Sequence, residues 1–421
     1  MHPGFCKHLL FLWPVFLLVV FLACVPDRPA AGAFKTGRYP NLFSDLLNIP
    51  PERVQAKVDS AWHQLFHGDP DSQAVYFPVE DDMAYILDVL HWDVRSEGQS
   101  YGMMIAVQMD KKEEFDRLWK WARTYMQHPS GPRQGYFAWQ LRTDGTVMDP
   151  NSASDGEEYI VTALFFASAR WGDGEGIFDY RAEAQAILDA MLSKADSADE
   201  DSVVTNMFNR EHKQVVFVPT GFADDITDPS YHLPAFYEIW ALRADRENAF
   251  WKAAADTSRS FFRKALHPVT GLSPDYAHFD GTPADLWSSG HGDFRFDAFR
   301  TIMNIAVDHA WFEKDPWQAG ACNRLQGFFR SKGMDRYVNQ YTLDGKPLSR
   351  ENSGALVAAN AVASLAATDP GRVDFVKALW DQKVPDGKYR YYDGLLHMIA
   401  LLHVSGNFRV YMPGSPADAR K

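Results

Sequence analysis

What most narrows the folds open to this chain is an alternation of two kinds of helical segment along nearly its whole length. One kind is amphipathic: from Pro51, where Val54, Val58, Ala61, Trp62 and Leu65 share a face, and again at 111–126, 178–195, 247–266, 317–332 and 372–382. The other is apolar nearly all round: 101–109, 157–170, 234–243, 301–311, 354–367 and 395–404. A helix apolar on every side must meet protein on every side, whereas an amphipathic one meets water along one stripe. Six of each in strict alternation predict an inner ring wrapped by an outer ring, an all-α (α/α)6 barrel.

By length alone, 421 residues would allow two or three domains. No linker, repeat or low-complexity tract divides the helical run, so one catalytic-size domain is expected over 51–412, with a tail at 413–421. Residues 34–50 read as a tether. Turn-rich stretches at 131–145, 205–228, 268–292 and 345–353 are long for plain connections and point to functional loops or small hairpins, one of them pairing 207–209 with 214–218.

The first 33 residues have the layout of a secretory leader. Lys7 precedes an apolar run over 9–25, then comes Pro26-Asp27-Arg28-Pro29. Leu22-Ala23-Cys24 resembles a bacterial lipobox, in which the Cys becomes a lipidated N-terminus. Cleavage after Ala31-Gly32-Ala33 and an uncleaved anchor are the alternatives, the run being at the short limit for a spanning helix. Export to the periplasm, free or membrane-anchored through Cys24, is the expectation. Of three cysteines only Cys322 lies beyond the leader, so no internal disulfide can form in the mature chain and a large core must hold it.

A net charge of −13 and no Lys/Arg run exclude a polyanion partner, because nucleic-acid binding needs a basic surface. The chain is 14% aromatic with thirteen tryptophans, which suits stacking on sugar rings, although most of these rings are accounted for by a large core. No zinc-ligand spacing, phosphate loop or nucleophile elbow occurs: His278 and His291 are isolated, and His397 and His403 fall on an apolar helix.

In an inner ring the helix starts of one direction open at one end of the barrel, and the unusual polar groups of this sequence collect there. Glu97 opens the second helix, beside Trp92. Ser154-Asp155-Gly156-Glu157-Glu158 precedes the fourth, Asp228-Pro229-Ser230-Tyr231-His232 the sixth, and Phe296-Asp297-Ala298-Phe299-Arg300 the eighth. Carboxylates at helix starts also serve simply as N-caps or dipole partners. Several converging on one mouth fit glycoside hydrolysis better, in which one acid protonates the leaving oxygen while a second attacks the sugar or activates a water.

The runs EGQSYGMMIAV (97–107), SDGEEY (154–159), DPSYHLPAFYE (228–238) and FDAFR (296–300) resemble glycoside hydrolase family 8, over about 76–404. Within it the details are most similar to the reducing-end xylose-releasing exo-oligoxylanases. The resemblance implies an (α/α)6 barrel and an inverting, metal-free, cofactor-free mechanism. It implies Glu97 as general acid and Asp297 as general base, with Arg300 keeping that carboxylate ionised. Asp155 would bind the sugar before the cut, Tyr231 would hold the attacking water, and Trp92 and Trp139 would be stacking platforms. A xylo-oligosaccharide or related β-1,4-glycan is the expected partner of a monomer. Exo action in that branch depends on a loop carrying a His-Pro pair that walls off the groove; Ser349-Arg350-Glu351-Asn352-Ser353 stands at the matching place. An endo-acting xylanase or β-1,4-glucanase is therefore the alternative, with a non-catalytic carbohydrate-binding lipoprotein as a second and a polysaccharide lyase disfavoured by the acidic mouth.

Overall fold

The computed structural model describes residues 1, 31–198, 200, 203–223 and 225–414. Residues 2–30 of the leader, Cys24 included, and the tail from 415 lie outside the described residues. Among those described, no helix is long and apolar enough to cross a membrane.

Six helices form the inner ring: α4 (Ser96–Gln108), α6 (Ser154–Trp171), α8 (Pro234–Arg243), α10 (Ala298–Phe312), α12 (Gly354–Ala363) and α14 (Tyr392–Val404). Each packs on the next and α14 returns to α4, closing the ring. Around them lie α3 (Pro51–His67), α5 (Lys112–Trp121), α7 (Tyr180–Met191), α9 (Asn248–Ala265), α11 (Trp317–Lys332) and α13 (Arg372–Asp381). The fold is the predicted (α/α)6 barrel, with all twelve helices at the expected places.

Four of the inner helices, α4, α6, α10 and α14, begin earlier than their apolar runs. In α4 the polar residues Ser96, Gln99 and Ser100 interrupt the apolar pattern, yet all are buried. Gln99 shows why this is tolerated: its Nε2 donates to the Ala84 and Leu118 carbonyls at 3.1 and 2.8 Å, and its Oε1 accepts from Ile86 N at 2.9 Å. A buried amide with all its partners costs little, so the helix extends through it. Among the described residues of α4, Glu97 is the one side chain left out of the core.

Residues 34–50 are not a tether. They form α1 (Ala33–Thr36) and α2 (Leu42–Leu47), whose Ala33, Leu42 and Phe43 are buried. Phe43 stacks near Trp380 of α13 and Phe34 near Phe312 at the end of α10, at centroid distances of 5.2 and 5.1 Å. The segment's polar look concealed apolar anchors such as Phe34 and Phe43, which dock on the end of α10 and on α13.

The long loops carry antiparallel strands. β1 (Tyr76–Val79), β2 (Met83–Asp88), β3 (Asp93–Arg95), β4 (Gln140–Leu141) and β5 (Val147–Asp149) pair in that order as one sheet. The hairpin expected near 207–218 is β6 (Phe208–Asn209) with β7 (Gln214–Val215), and β8 (Ile226–Thr227) pairs with β9 (Ala277–His278). β3 runs straight into α4, so the sheet fixes the height at which Glu97 enters the barrel mouth.

Candidate active site

The starts of α4, α6, α10 and α14 open on a cavity of about 610 Å³ lined by Glu97, Asp155, Tyr231, Asp297, Trp139 and further polar and aromatic side chains. A recess of about 760 Å³ at the opposite end is lined by α1, the end of α4 and the segment after α14, and carries no comparable set of acids.

Arg300 organises the site. It sits one turn into α10 with its side chain 2% exposed. Nη1 donates to Glu97 Oε2 at 3.1 Å, to Asp155 Oδ2 at 2.8 Å and to the Tyr101 hydroxyl, while Nη2 pairs with Asp297 Oδ2 at 3.1 Å. The cation also lies 5.5 Å from the Tyr231 ring centre. A buried guanidinium needs several anionic partners to offset its desolvation, and three carboxylates from α4, α6 and the foot of α10 supply them. Glu97 and Asp297 thus bind neighbouring nitrogens of one planar group. That bridge sets both carboxyls on one cavity, where two acids can act on opposite sides of a glycosidic bond.

The two acids nevertheless meet different surroundings. Glu97, 17% exposed, accepts the Tyr391 hydroxyl at Oε1, 3.0 Å away. Burial pushes its carboxyl up to about 8, with Asp297 and Asp155 adding to the rise and Arg300 and Tyr391 opposing it. Asp297 is the more open at 29% and accepts the Tyr392 hydroxyl at 3.1 Å. One carboxyl is therefore held protonated at neutral pH beside another that faces the cavity with a guanidinium and a phenol upon it. Asp155 is raised by burial to about 6, against the pull of Arg300, and its Oδ1 has no protein partner among the described residues.

Of the sequence candidates, Glu97, Asp155, Tyr231, Asp297 and Trp139 line the cavity and Arg300 joins three of them from beneath. Trp139 packs under Arg95, whose guanidinium lies 5.6 Å from the ring centre. Trp92 is placed differently: it is 68% exposed at φ 61°, beside the cavity rather than in its lining. Asp228, one of the acids at the mouth, is fully buried and caps Ser230 N at 2.6 Å, so it acts as a turn cap. The phenols of Tyr391 and Tyr392 at the start of α14 belong to the site without being carboxyls, so helix-start carboxyls in the sequence do not point to them. Asp275 belongs to it too, from a loop with no periodic signal. Asp275 Oδ1 accepts the backbone N–H groups of Asp297 and Ala298 at 3.0 and 3.2 Å, and Oδ2 bonds His291, so that histidine is not isolated.

The sequence over residues 90–406 matches the model of glycosyl hydrolases family 8. A reducing-end xylose-releasing exo-oligoxylanase, Rex8A of Paenibacillus barcinonensis, is 47% identical over 386 residues, covering 90% of this chain and 98% of that protein. The reducing end xylose-releasing exo-oligoxylanase of Halalkalibacterium halodurans is 42% identical over 391 residues, covering 92% and 98%. A Teredinibacter turnerae family 8 enzyme, solved with xylobiose and, as a catalytic mutant xylanase, with xylohexaose, superposes with a TM-score of 0.87 at 47% identity, over 91% of this chain and 100% of that one. A guanidinium shared by acids from three inner helices, on a barrel whose length is matched almost end to end by such relatives, leaves one conclusion: the chain is a glycoside hydrolase and belongs to glycosyl hydrolases family 8.

Proposed function

We propose that this hydrolase cleaves β-1,4-xylosidic bonds with inversion, releasing xylose from the reducing end of xylo-oligosaccharides. The observation that carries the proposal is the pairing of Glu97 and Asp297 across one cavity on adjacent nitrogens of Arg300. Glu97, protonated at neutral pH, gives its proton to the leaving glycosidic oxygen. Asp297, ion-paired with Arg300, takes a proton from a water that attacks the anomeric carbon from the opposite face. Tyr231 steadies that water, and Asp155 offers its free oxygen to a hydroxyl of the sugar before the cut. Trp139 stacks on a neighbouring ring. No step calls on a metal or cofactor, and the unit that acts is the monomer.

Support for the substrate comes from the printed activities of the two exo-oligoxylanase relatives. A second reading, internal cleavage of xylan, is favoured by Glu351, Asn352 and Ser353, which line the cavity where a His-Pro wall is expected, and by the relative solved with xylohexaose. Xylotriose with a free or an alditol end separates the two: the exo reading expects hydrolysis of the first and near-complete failure on the second. Equal rates would sink it. Glu97→Ala is expected to abolish hydrolysis of either, which a merely carbohydrate-binding protein would not show.

Export and lipidation at Cys24 belong to the same proposal and rest on the sequence of the leader. Labelling of the full-length chain by a fatty acid analogue, lost in Cys24→Ala, is the expected result.

A further inference from the structure

Two aromatic side chains outside the catalytic cavity are unusually exposed for their size. Trp287 is 67% and Phe222 39% exposed, with ring centres 6.0 Å apart. Trp287 and the following Ser288 stand at φ 60° and 51°, a left-handed conformation that bulky residues seldom adopt. The turn is fastened at its foot, where Asp285 Oδ1 accepts the backbone N–H groups of Gly290 and His291 at 2.7 and 3.0 Å. Such an outlier, kept in place by the structure around it, points to a use for the displayed ring.

The position supplies the use. Leu286, adjacent to Trp287, packs in a small cluster with Tyr276, and Tyr276 and His291 stack at 4.1 Å as part of the cavity lining. From His291 the aromatic surface continues inward to Phe296, 49% exposed, next to Asp297. The Trp287 turn therefore adjoins the cavity wall on the side of the base, joined to it through Leu286 and Tyr276. No basic side chain is needed for a neutral polymer, and the equatorially substituted faces of β-linked pyranoses present C–H groups that pack on flat rings.

We infer that Trp287 and Phe222 form a second carbohydrate-binding platform, outside the cleavage site, which holds a β-1,4-xylan chain whose end lies in the cavity. The inference rests on the xylan reading of the cavity and widens it from short oligosaccharides to the polymer. A chain resting there is tethered while its end is processed, which raises the local concentration of substrate without altering the chemistry at Glu97.

The experiment uses the full chain. Retention on insoluble xylan is measured for Glu97→Gln alone and with Trp287→Ala and Phe222→Ala added, alongside agarose carrying no glycan, and the thermal midpoint of each variant checks folding. The expected result is a drop of at least fivefold in xylan binding for the triple variant, recovered largely by Trp287→Tyr. With Glu97 restored, the ratio of rates on soluble xylan and on xylotriose falls in the Trp287→Ala/Phe222→Ala variant. Unchanged xylan retention overturns the inference, and so does an equal loss of retention on bare agarose, which would mark the rings as merely adhesive. Failure of the wild-type chain to hydrolyse xylotriose would instead remove the activity proposed above, an outcome read separately from binding.

Discussion

Arg300 is asked to do two opposed things with one charge. It ion-pairs with Asp297, the base, yet it also touches Glu97, whose proton is needed. Burial decides the balance: despite the cation, Glu97 stays up at about 8, because its own desolvation and the two neighbouring aspartates outweigh the guanidinium. The consequence is an alkaline limb in kcat/KM near pH 8, where Glu97 loses its proton. Initial-rate profiles check this, and a limb near pH 10 would assign it to another group. Arg300→Lys replaces a fork by a point charge that cannot meet three carboxyls at once, and is expected to lower kcat by about 10²-fold or more. At this scale the sequence was informative where a residue lay in a dense block at a helix start, as Glu97, Asp155, Asp297 and Arg300 do. It was silent on Asp275, whose role is to hold the backbone of Asp297 from a loop; nothing in Ser273-Pro274-Asp275-Tyr276 marks that contact.

Between elements, the site depends on how closely inner helices approach at their starts. A Cβ on Gly98 would lie 2.3 Å from the Tyr391 ring, and one on Gly156 2.7 Å from the Ser96 side chain. These glycines are required for close approach of α4 to α14 and to α6. Gly98→Ala is expected to push Tyr391 off Glu97 and to cost about 1–3 kcal/mol of stability through overpacking. Because the Tyr391 hydrogen bond lowers the Glu97 value, its loss should move the alkaline limb upward while kcat falls. Gly327, on the open face of α11, has nothing within 4 Å of a Cβ, and its replacement by Ala should stabilise by about 0.5–1 kcal/mol with unchanged kinetics. Chemical denaturation of the two variants checks both signs. The helices themselves were legible, since a ring of apolar segments alternating with amphipathic ones admits few arrangements. The five-stranded sheet was not, because strands of two to six residues, several polar, give too short a period to distinguish from loop.

Taken whole, the barrel buries acids whose desolvation outweighs any cation beside them, and this sets its stability against pH. Burial raises Glu97 and Glu157 from 4.5 to about 8 and Asp155 from 3.8 to about 6, and Glu158 lies well above its usual value, held in the core by the Tyr237 hydroxyl at 2.9 Å. A raised carboxyl binds its proton more tightly in the folded chain than in the unfolded one. Between about pH 4.5 and 8 the native state therefore carries more protons, and stability declines as pH rises through that window. The opposite contribution comes from Glu238, lowered by Lys314 and Arg259 against its own burial, and from Asp256, lowered by Lys252 and Arg259. That part is lost only as pH falls below about 4, whereas the buried His232, His397 and His403, lowered by burial from 6.5 to about 3, lose stability as pH falls below about 6.5 and offset part of the decline in the acid half of the window. Calorimetry is expected to find a higher thermal midpoint near pH 6 than at pH 8. Glu157 Oε1 accepts Phe137 N at 2.9 Å and lies behind the cavity, so Glu157→Gln keeps an acceptor while removing the proton equilibrium. That variant should flatten the decline, and a thermal midpoint still falling as steeply between pH 6 and 8 would show that the buried glutamates are not its source.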